Sequence, residues 1–220
     1  MKLQFLGKSH ETADVWTYSF RAPEGATWLA GQSVRLELPV GYDIEEKRFT
    51  ISSAPFEKRI DITTRLSGSK FKNSLNALTE GQAIDGQSIE GDFTWIQDDR
   101  AKLFVASGIG ITPFRSILRQ LEQDEGSLKA ALVYAGREDE LPFEYWLRQL
   151  AANYPDFRLQ LIHGRRLTAM DIEPRPDSLI YLSGPSDMVN RLGDQLIAAG
   201  VPRQNLKRDL FTGRPGWSEV

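Results

Sequence analysis

The spacing of apolar and polar positions divides the chain into two stretches with different periods. From Met1 to about Trp95 apolar residues recur at every second position in short runs: Val34, Leu36 and Leu38 alternate with Arg35 and Glu37, and Ile60 and Ile62 flank Asp61. Successive side chains of a strand point to opposite faces, so this period predicts strands with one face buried. Turn-forming clusters at Pro23-Glu24-Gly25, Pro39-Val40-Gly41, Ser67-Gly68-Ser69 and Glu80-Gly81 separate the runs. Short strands punctuated in this way predict a small antiparallel barrel. One helix interrupts them, with Ser69 as its cap, Phe71, Leu75 and Leu78 as its apolar stripe, and Glu80-Gly81 as its stop.

After Gln97-Asp98-Asp99-Arg100, read as a charged linker, strands and helices alternate. Strands are predicted at Leu103–Ala106, Lys129–Ala135, Phe157–His163, Leu179–Leu182 and Leu206–Phe211, and helices at Pro113–Gln123, Pro142–Asn153 and Pro185–Ala199. Buried strands alternating with helices predict a parallel sheet covered on both faces, in which ligands lie at the carboxyl ends of the strands. The expected organisation is therefore β followed by α/β, with a barrel domain over residues 1–97 and a nucleotide-fold domain over residues 101–220. The chain shows no internal repeat and no low-complexity tract.

The stretch Leu103 to Leu118 shows the change of period in one place. Four apolar residues lead into Ser107-Gly108-Ile109-Gly110-Ile111, and then Phe114, Ile117, Leu118 and Leu121 fall on one helical stripe opened by Pro113. Gly108 and Gly110 permit a positive φ or a close backbone approach, and the helix start attracts phosphate. Taken alone, the turn is either a nucleotide loop or simple punctuation of the fold.

Composition narrows the chemistry. A net charge of −3 over 220 residues argues against electrostatic binding of nucleic acid. No apolar run approaches the ~18 residues that cross a bilayer, and Met1-Lys2-Leu3-Gln4 lacks a secretory core, so a cytoplasmic protein with no membrane span is expected. With no cysteine, the chain has no disulfides, thiolate metal sites, cysteine nucleophile or thiolate-held iron-sulfur cluster of its own. His10 and His163 stand far apart and read as surface or packing residues, so no metal site is expected. Redox chemistry here would need an organic cofactor.

Lys47-Arg48-Phe49-Thr50-Ile51-Ser52-Ser53 places two cations, an aromatic and three hydroxyls along one strand and its exit. These groups suit a flavin, with cations for the pyrophosphate, an aromatic face for the ring system and hydroxyls for its edge, but an edge strand with a basic start would look the same. Ser69-Lys70-Phe71-Lys72 offers a capped helix start flanked by lysines, either a second hold on the pyrophosphate or a solvated helix end.

Together, and in this order, these stretches resemble the ferredoxin-NADP(H) reductase superfamily over nearly the whole chain. Ala30-Gly31-Gln32-Ser33-Val34 is similar to the family's P-G-Q-x-V strand entry, and Arg48 to Ser53 resembles its R-x-Y-S-x-x-S flavin motif. Ser107 to Pro113 is similar to its G-x-G-x-T-P nicotinamide loop, Tyr181-Leu182-Ser183-Gly184-Pro185 through Met188 to its C-G-P-x-x-M segment, and Asp209-Leu210-Phe211 to its closing E-x-F. Aligning Phe49-Thr50 on the aromatic-hydroxyl pair puts Lys47 in place of the motif arginine and Arg48 one position late. Phe49 lacks the tyrosine hydroxyl, Ser183 replaces a frequent cysteine and Asp209 a frequent glutamate.

The resemblance implies a six-stranded antiparallel FAD-binding barrel followed by an NAD(P)-binding domain, and a monomer that takes hydride from NADPH or NADH. It passes electrons to a separate acceptor protein such as a ferredoxin, a flavodoxin or a haem protein. It assigns FAD to Lys47, Arg48, Phe49, Thr50, Ile51, Ser53, Thr64, Ser69, Lys70 and Phe71, and the nicotinamide nucleotide to Gly108, Gly110, Thr112, Pro113, Gly184, Pro185 and Phe211. Thr50, Ser183 and Asp209 fall at the catalytic positions, and Thr112 beside the nicotinamide. Arg137, Arg165 and Arg166 lean the donor toward NADPH through a 2′-phosphate, against the carboxylates Glu138, Asp139 and Glu140. Trp217, in the tail, is either a cover for the flavin or a packing anchor. Two other readings stay open: a reductase that releases flavin as a product, and a non-catalytic flavin- or nucleotide-binding regulatory module.

Overall fold

The computed structural model describes residues 1–124, 128–137, 139–175 and 177–211. Two compact units emerge, Met1–Trp95 with Arg115–Asp124, and Ile96–Phe114 with Glu125–Val220.

The first unit is an antiparallel sheet of six strands: β1 (Lys2–Thr12), β2 (Val15–Arg21), β3 (Ser33–Val40), β4 (Asp43–Thr50), β5 (Arg59–Arg65) and β6 (Ala83–Glu90). Their order is β4-β3-β6-β1-β2-β5. The sheet curls back on itself just beyond β4, where Ile51 bridges Ile62 of β5 and the Ser52 amide donates to the Asp61 carbonyl at 2.8 Å. The barrel interior is filled by Leu3, Tyr18, Phe20, Val34, Leu36, Ile60 and Ile62. Helix α1 (Lys70–Asn76) adds Phe71 and Leu75 to this core, and Ser69 caps it by accepting from the Lys72 amide at 3.4 Å.

Strand β5 departs from the one-sided burial that its alternation suggests. Asp61 is only 2% exposed and Thr63 2%, so both faces are covered. The outward face is polar yet satisfied: Arg59 donates to the Asp61 carboxylate at 2.9 Å, and Thr63 hydrogen-bonds Thr17 and Ser52, each at 2.8 Å. Polar side chains that find partners can be buried without a large penalty, so the period-2 rule does not report this face.

The second unit is a parallel sheet of β7 (Lys102–Ser107), β8 (Ala130–Ala135), β9 (Arg158–Ile162), β10 (Leu179–Pro185) and β11 (Leu206–Phe211), in the order β11-β10-β7-β8-β9. Helices α2 (Thr112–Asp124), α3 (Glu144–Asn153) and α4 (Ser186–Ala198) connect them. Val105, Val133, Ile180 and Leu182 pack with Val189 and Leu192 of α4 in its core. Successive strands run outward from β7 on one side to β9, and the chain then returns to β10 on the other, so the switch point lies between β7 and β10.

Most element boundaries shift by one to three residues from the sequence pattern, and two helix starts do so for a visible reason. Helix α3 opens at Glu144 instead of Pro142, because Phe143 sits at φ 63° in the left-handed region. Pro185 ends β10, pairing with Phe211, and stands ahead of α4 instead of inside it. The Asp98–Arg100 segment, read as a linker, is an anchor. Lys102, 3% exposed at the start of β7, donates to the Asp98 carboxylate at 2.6 Å and to the carbonyls of Asp98 and Arg100 at 2.9 and 2.7 Å. Hydrogen bonds from Arg100 and Lys102 hold the Asp98 carboxyl well below its usual range.

Candidate functional site

In the barrel unit the strand geometry separates the two candidate cations. Lys47 and Phe49 share one side of β4 and are half-buried, whereas Arg48 is exposed on the other. The Lys47 ammonium lies 5.4 Å from the centre of the Phe71 ring, and the Phe49 ring lies 5.8 Å from Phe71 at 31°. One cation and two aromatic faces are thus gathered by β4 and the first turn of α1, and the cation is Lys47. Thr50, 6% exposed, ends the strand. Beyond it Ile51 is fully buried and donates its amide to the Gln32 carbonyl at 2.9 Å. Ser53 is also fully buried: its hydroxyl donates to the Arg59 carbonyl at 2.7 Å and accepts from the Asp61 amide at 2.9 Å. Thr64, 4% exposed, pairs with Trp16 on β2.

The serine-capped start of α1 divides its two lysines. Lys70 is exposed, but the Lys72 ammonium donates to the Arg65 carbonyl at 2.8 Å. Lys72 therefore holds β5 to α1.

Sequence reasoning missed the polar chain behind this loop. The Thr17 hydroxyl donates to the Glu11 carboxylate at 2.7 Å and hydrogen-bonds Thr63, which in turn reaches Ser52. Burial pushes the Glu11 carboxyl up, with the Thr17 hydrogen bond and the Arg115 charge opposing it. Glu57 behaves oppositely: burial alone would raise its carboxyl, but hydrogen bonds and charge from Arg115 bring it below the ordinary value. These four segments are distant in sequence, and no local motif announces their meeting.

In the second unit the glycine turn sits at the carboxyl end of β7, against the end of β10. The two glycines do different jobs. Gly108 has φ 54°, and a Cβ there would meet nothing within 4 Å, so its face is open. Gly110 is pressed against β10: a Cβ would fall 2.1 Å from the Ser183 carbonyl oxygen and 2.8 Å from Gly184 Cα. Gly110 is therefore a packing requirement, and only Gly108 leaves room for a ligand. Tyr134, fully buried on β8, donates its hydroxyl to the Gly108 carbonyl at 3.1 Å and fixes the turn. The Thr112 hydroxyl is 3.1 Å from the Ile109 carbonyl it donates to, and the residue is 1% exposed. Pro113 is the second residue of α2.

Ser183 and Asp209 are register partners on β10 and β11, 0% and 7% exposed, with the hydroxyl 3.4 Å from the carboxylate. The sheet thus brings together two residues 26 positions apart. Arg137 and Arg166 are exposed after β8 and β9, whereas Arg165 is held by the Asp171 carboxylate at 2.5 and 2.9 Å. His163 meets Glu144 at 2.8 Å, and His10 packs on Trp16 at 4.4 Å, so both histidines have structural partners. Glu138 and the tail with Trp217 lie outside the described residues, and Phe211 is the last residue described. Among the described residues no cluster of three metal-ligating side chains occurs, and no helix is long and apolar enough to cross a membrane. A shallow depression of about 340 Å³ on the barrel is lined by Met1, Ala26, Thr27, Gln87, Ser88 and Ile89, none of them a candidate site residue.

An antiparallel six-stranded barrel followed along the chain by a parallel sheet with a glycine turn at its switch point is the fold of solved ferredoxin-NADP reductases, and the chain shares that fold. Residues 104–193 match the family model of the oxidoreductase NAD-binding domain. Among curated proteins the chain is similar to the ferredoxin reductase component of 3-ketosteroid-9-alpha-monooxygenase from Mycolicibacterium smegmatis, with 28% identity over 96% of this chain. The chain spans 65% of that relative's length. Among solved structures it resembles the flavohem-like FAD/NAD binding domain of nitric oxide dioxygenase from Vibrio cholerae, with a TM-score of 0.82 and 22% identity over 96% of this chain and 98% of that one. It also resembles a ferredoxin NADP+ reductase from Neisseria gonorrhoeae, solved with bound FAD and NADP, with a TM-score of 0.81 and 19% identity over 96% of this chain and 98% of that one.

Proposed function

We propose that the chain is the FAD- and NAD(P)-binding part of a flavoprotein reductase that takes hydride from NAD(P)H and passes electrons to a separate acceptor, such as a ferredoxin, a flavodoxin or a haem protein. The observation that carries this reading is the gathering of Lys47, Phe49 and Phe71 beside the strand end that leads to Thr50 and Ser53. A cation, the half-buried face of Phe49 and the Thr50 hydroxyl are groups that a flavin needs, backed by the buried Phe71 and by Ser53, whose hydroxyl is engaged by Arg59 and Asp61, so the residues fit the group. Bound FAD would supply the exchange between a two-electron hydride donor and one-electron acceptors.

The chain's own residues bind and orient. Lys47 neutralises pyrophosphate charge, Phe49 presents its face to the flavin ring system, and the Thr50 hydroxyl hydrogen-bonds the flavin edge. Gly108, open and fixed by Tyr134, receives the nicotinamide nucleotide, while Gly110 seats the turn on β10. Ser183 and Asp209 shape the nicotinamide pocket. The Thr112 hydroxyl, already donated to Ile109, contributes through the shape of the turn. With Arg165 engaged by Asp171, the preference for NADPH rests on Arg137 and Arg166.

Two measurements test this. The purified chain should be yellow or take up about one FAD, and it should bleach under anaerobic NADPH faster than under NADH. Thr50→Val should slow flavin reduction by about tenfold or more while leaving FAD affinity within about threefold, because one hydrogen bond at the reacting edge acts on orientation more than on binding. A colourless chain that binds no FAD and oxidises neither nucleotide would sink the proposal. So would flavin release at each turnover, which would favour a flavin reductase; of the two lysines that speak against that alternative, Lys70 is exposed and Lys72 directs its ammonium to the Arg65 carbonyl.

A further inference from the structure

Arg115 and Ser116 belong by contacts to the barrel unit, although they stand only a few residues after the glycine turn in sequence. Their targets are backbone atoms of the loop that leaves β4. Arg115 Nη1 donates to the Ser52 carbonyl at 3.0 Å, and the Ser116 hydroxyl donates to the Ser53 carbonyl at 2.6 Å. Glu57 closes the arrangement. Its carboxylate takes both terminal nitrogens of Arg115, one of them at 3.1 Å, and Oε2 also accepts from the Ala54 amide at 2.7 Å. The Arg115 and Glu57 side chains are 15% and 8% exposed, and Ser52 and Ser53 are 1% and 0% exposed.

A chain leaving a strand loses ladder partners for its carbonyls, and a buried carbonyl needs another donor. Here those donors come from two successive residues of one helix. Nearby, Arg119 lies over the Phe56 ring at 5.3 Å and Gln120 accepts from the Phe56 amide at 3.4 Å, so the same helix holds the far side of the loop as well. A buried ion pair is a poor source of net stability, because desolvation offsets the attraction, but its planar fork fixes direction well.

We infer that Arg115 is a positioning residue: with Glu57 and Ser116 it clamps the Thr50–Ala54 loop in the one shape that aims the Thr50 hydroxyl at the flavin edge. The clamp rests on the flavin-binding reading above. It acts through backbone, since Arg115 fixes a carbonyl two residues from Thr50 and touches no reacting atom. Lysine cannot replace it, because a single ammonium cannot both hold the two Glu57 oxygens in a plane and reach the Ser52 carbonyl.

The experiment uses the whole chain in flavin-free and FAD-loaded form, with Arg115→Lys and the uncharged double variant Arg115→Gln/Glu57→Gln, which removes both buried charges together so that neither is left unpaired. In the flavin-free chain, amide hydrogen exchange at Ser52, Ala54 and Asp61 should rise by about tenfold or more in both variants, with β1 and β6 unchanged. In the loaded chain, FAD stoichiometry should persist, the visible circular dichroism of the flavin should change, and its reduction should slow by about tenfold or more. Loop exchange within about twofold of wild type in both variants overturns the clamp, as does an unchanged flavin dichroism and reduction rate. A wild-type chain that takes up no FAD overturns the functional reading instead, and the flavin-free exchange still decides whether Arg115 holds the loop.

Discussion

The two units build their candidate sites from different materials. In the barrel, the loop after β4 is held by side chains: hydroxyls of Ser52, Ser53, Thr17 and Thr63, the carboxylates of Glu11 and Glu57, and the Arg115 guanidinium, linked by hydrogen bonds. In the parallel-sheet unit, the turn after β7 is held by close backbone packing of Gly110 on Ser183, with one tyrosine hydroxyl to anchor it. A side-chain network can be weakened a bond at a time, whereas a backbone contact is either made or lost. The two sites should therefore fail differently.

Gly110→Ala should do the most damage. Its Cβ would fall 2.1 Å from a backbone oxygen that no rotamer change can move, so β10 or the turn must shift. A loss of about 3 kcal/mol is expected, at the upper end of overpacking effects, against about 1 kcal/mol for Gly108→Ala, where the left-handed φ alone is strained. Urea midpoints of the two variants measure this; equal losses would remove the distinction between a packing glycine and an open one.

Thr63→Val, nearly isosteric, tests the barrel network. It leaves the Thr17 and Ser52 hydroxyls short of one partner each and should destabilise by about 1–2 kcal/mol, the usual penalty for a buried group left unsatisfied. A change smaller than a few tenths of a kcal/mol would mean that the chain of hydroxyls contributes little.

The smallest effect is one of sign. Glu57 has its carboxyl lowered in the fold, so its stabilisation is present above the ordinary carboxylate value and is lost as pH falls through the folded one. Glu11 is raised, so its contribution is full below the ordinary value and declines as pH rises through the folded one. Glu11→Gln should therefore gain stability over wild type near pH 7 and lose that gain near pH 4, while Glu57→Gln should be destabilised near pH 7 and converge on wild type only in stronger acid, below the pH where free carboxylates titrate. Thermal midpoints across that range read both; parallel curves for the two variants would contradict the opposite shifts.

The strand and helix order was legible because both periods are strong: Val34-Leu36-Leu38 and Phe114-Ile117-Leu118-Leu121 fill the cores that their spacing predicts. The candidate residues Lys47 to Thr50 and the Gly108 turn were singled out by local signatures within those elements. The division of labour between Lys47 and Arg48 follows from strand alternation, yet the choice of side needed Phe71, brought in by a helix more than twenty residues on. The polar face of β5 was hidden because Asp61 and Thr63 look solvent-facing until Arg59, Ser52 and Thr17 arrive from elsewhere in the chain. Lys72 and Arg165 look like free phosphate ligands in the sequence, but folding spends them on Arg65 and Asp171. Arg115 gave no signal at all, since its partners are set by tertiary packing and not by spacing.

The bridge between Ile51 and Ile62 closes the barrel within the same short segment that carries Thr50 and Ser53. This segment therefore has no spare length. Adding or removing one residue between Thr50 and Ala54 would put the Ile51–Ile62 bridge out of register and turn the side chains of this segment to the wrong face. The β3–β4 hairpin tip is a contrasting place, with Gly41 facing open space and Tyr42 wholly exposed. For an engineer who wants to splice in a tag, a label or a second protein, the tip at Gly41-Tyr42 is the joint to cut, and the seam beyond Thr50 is the one to leave intact.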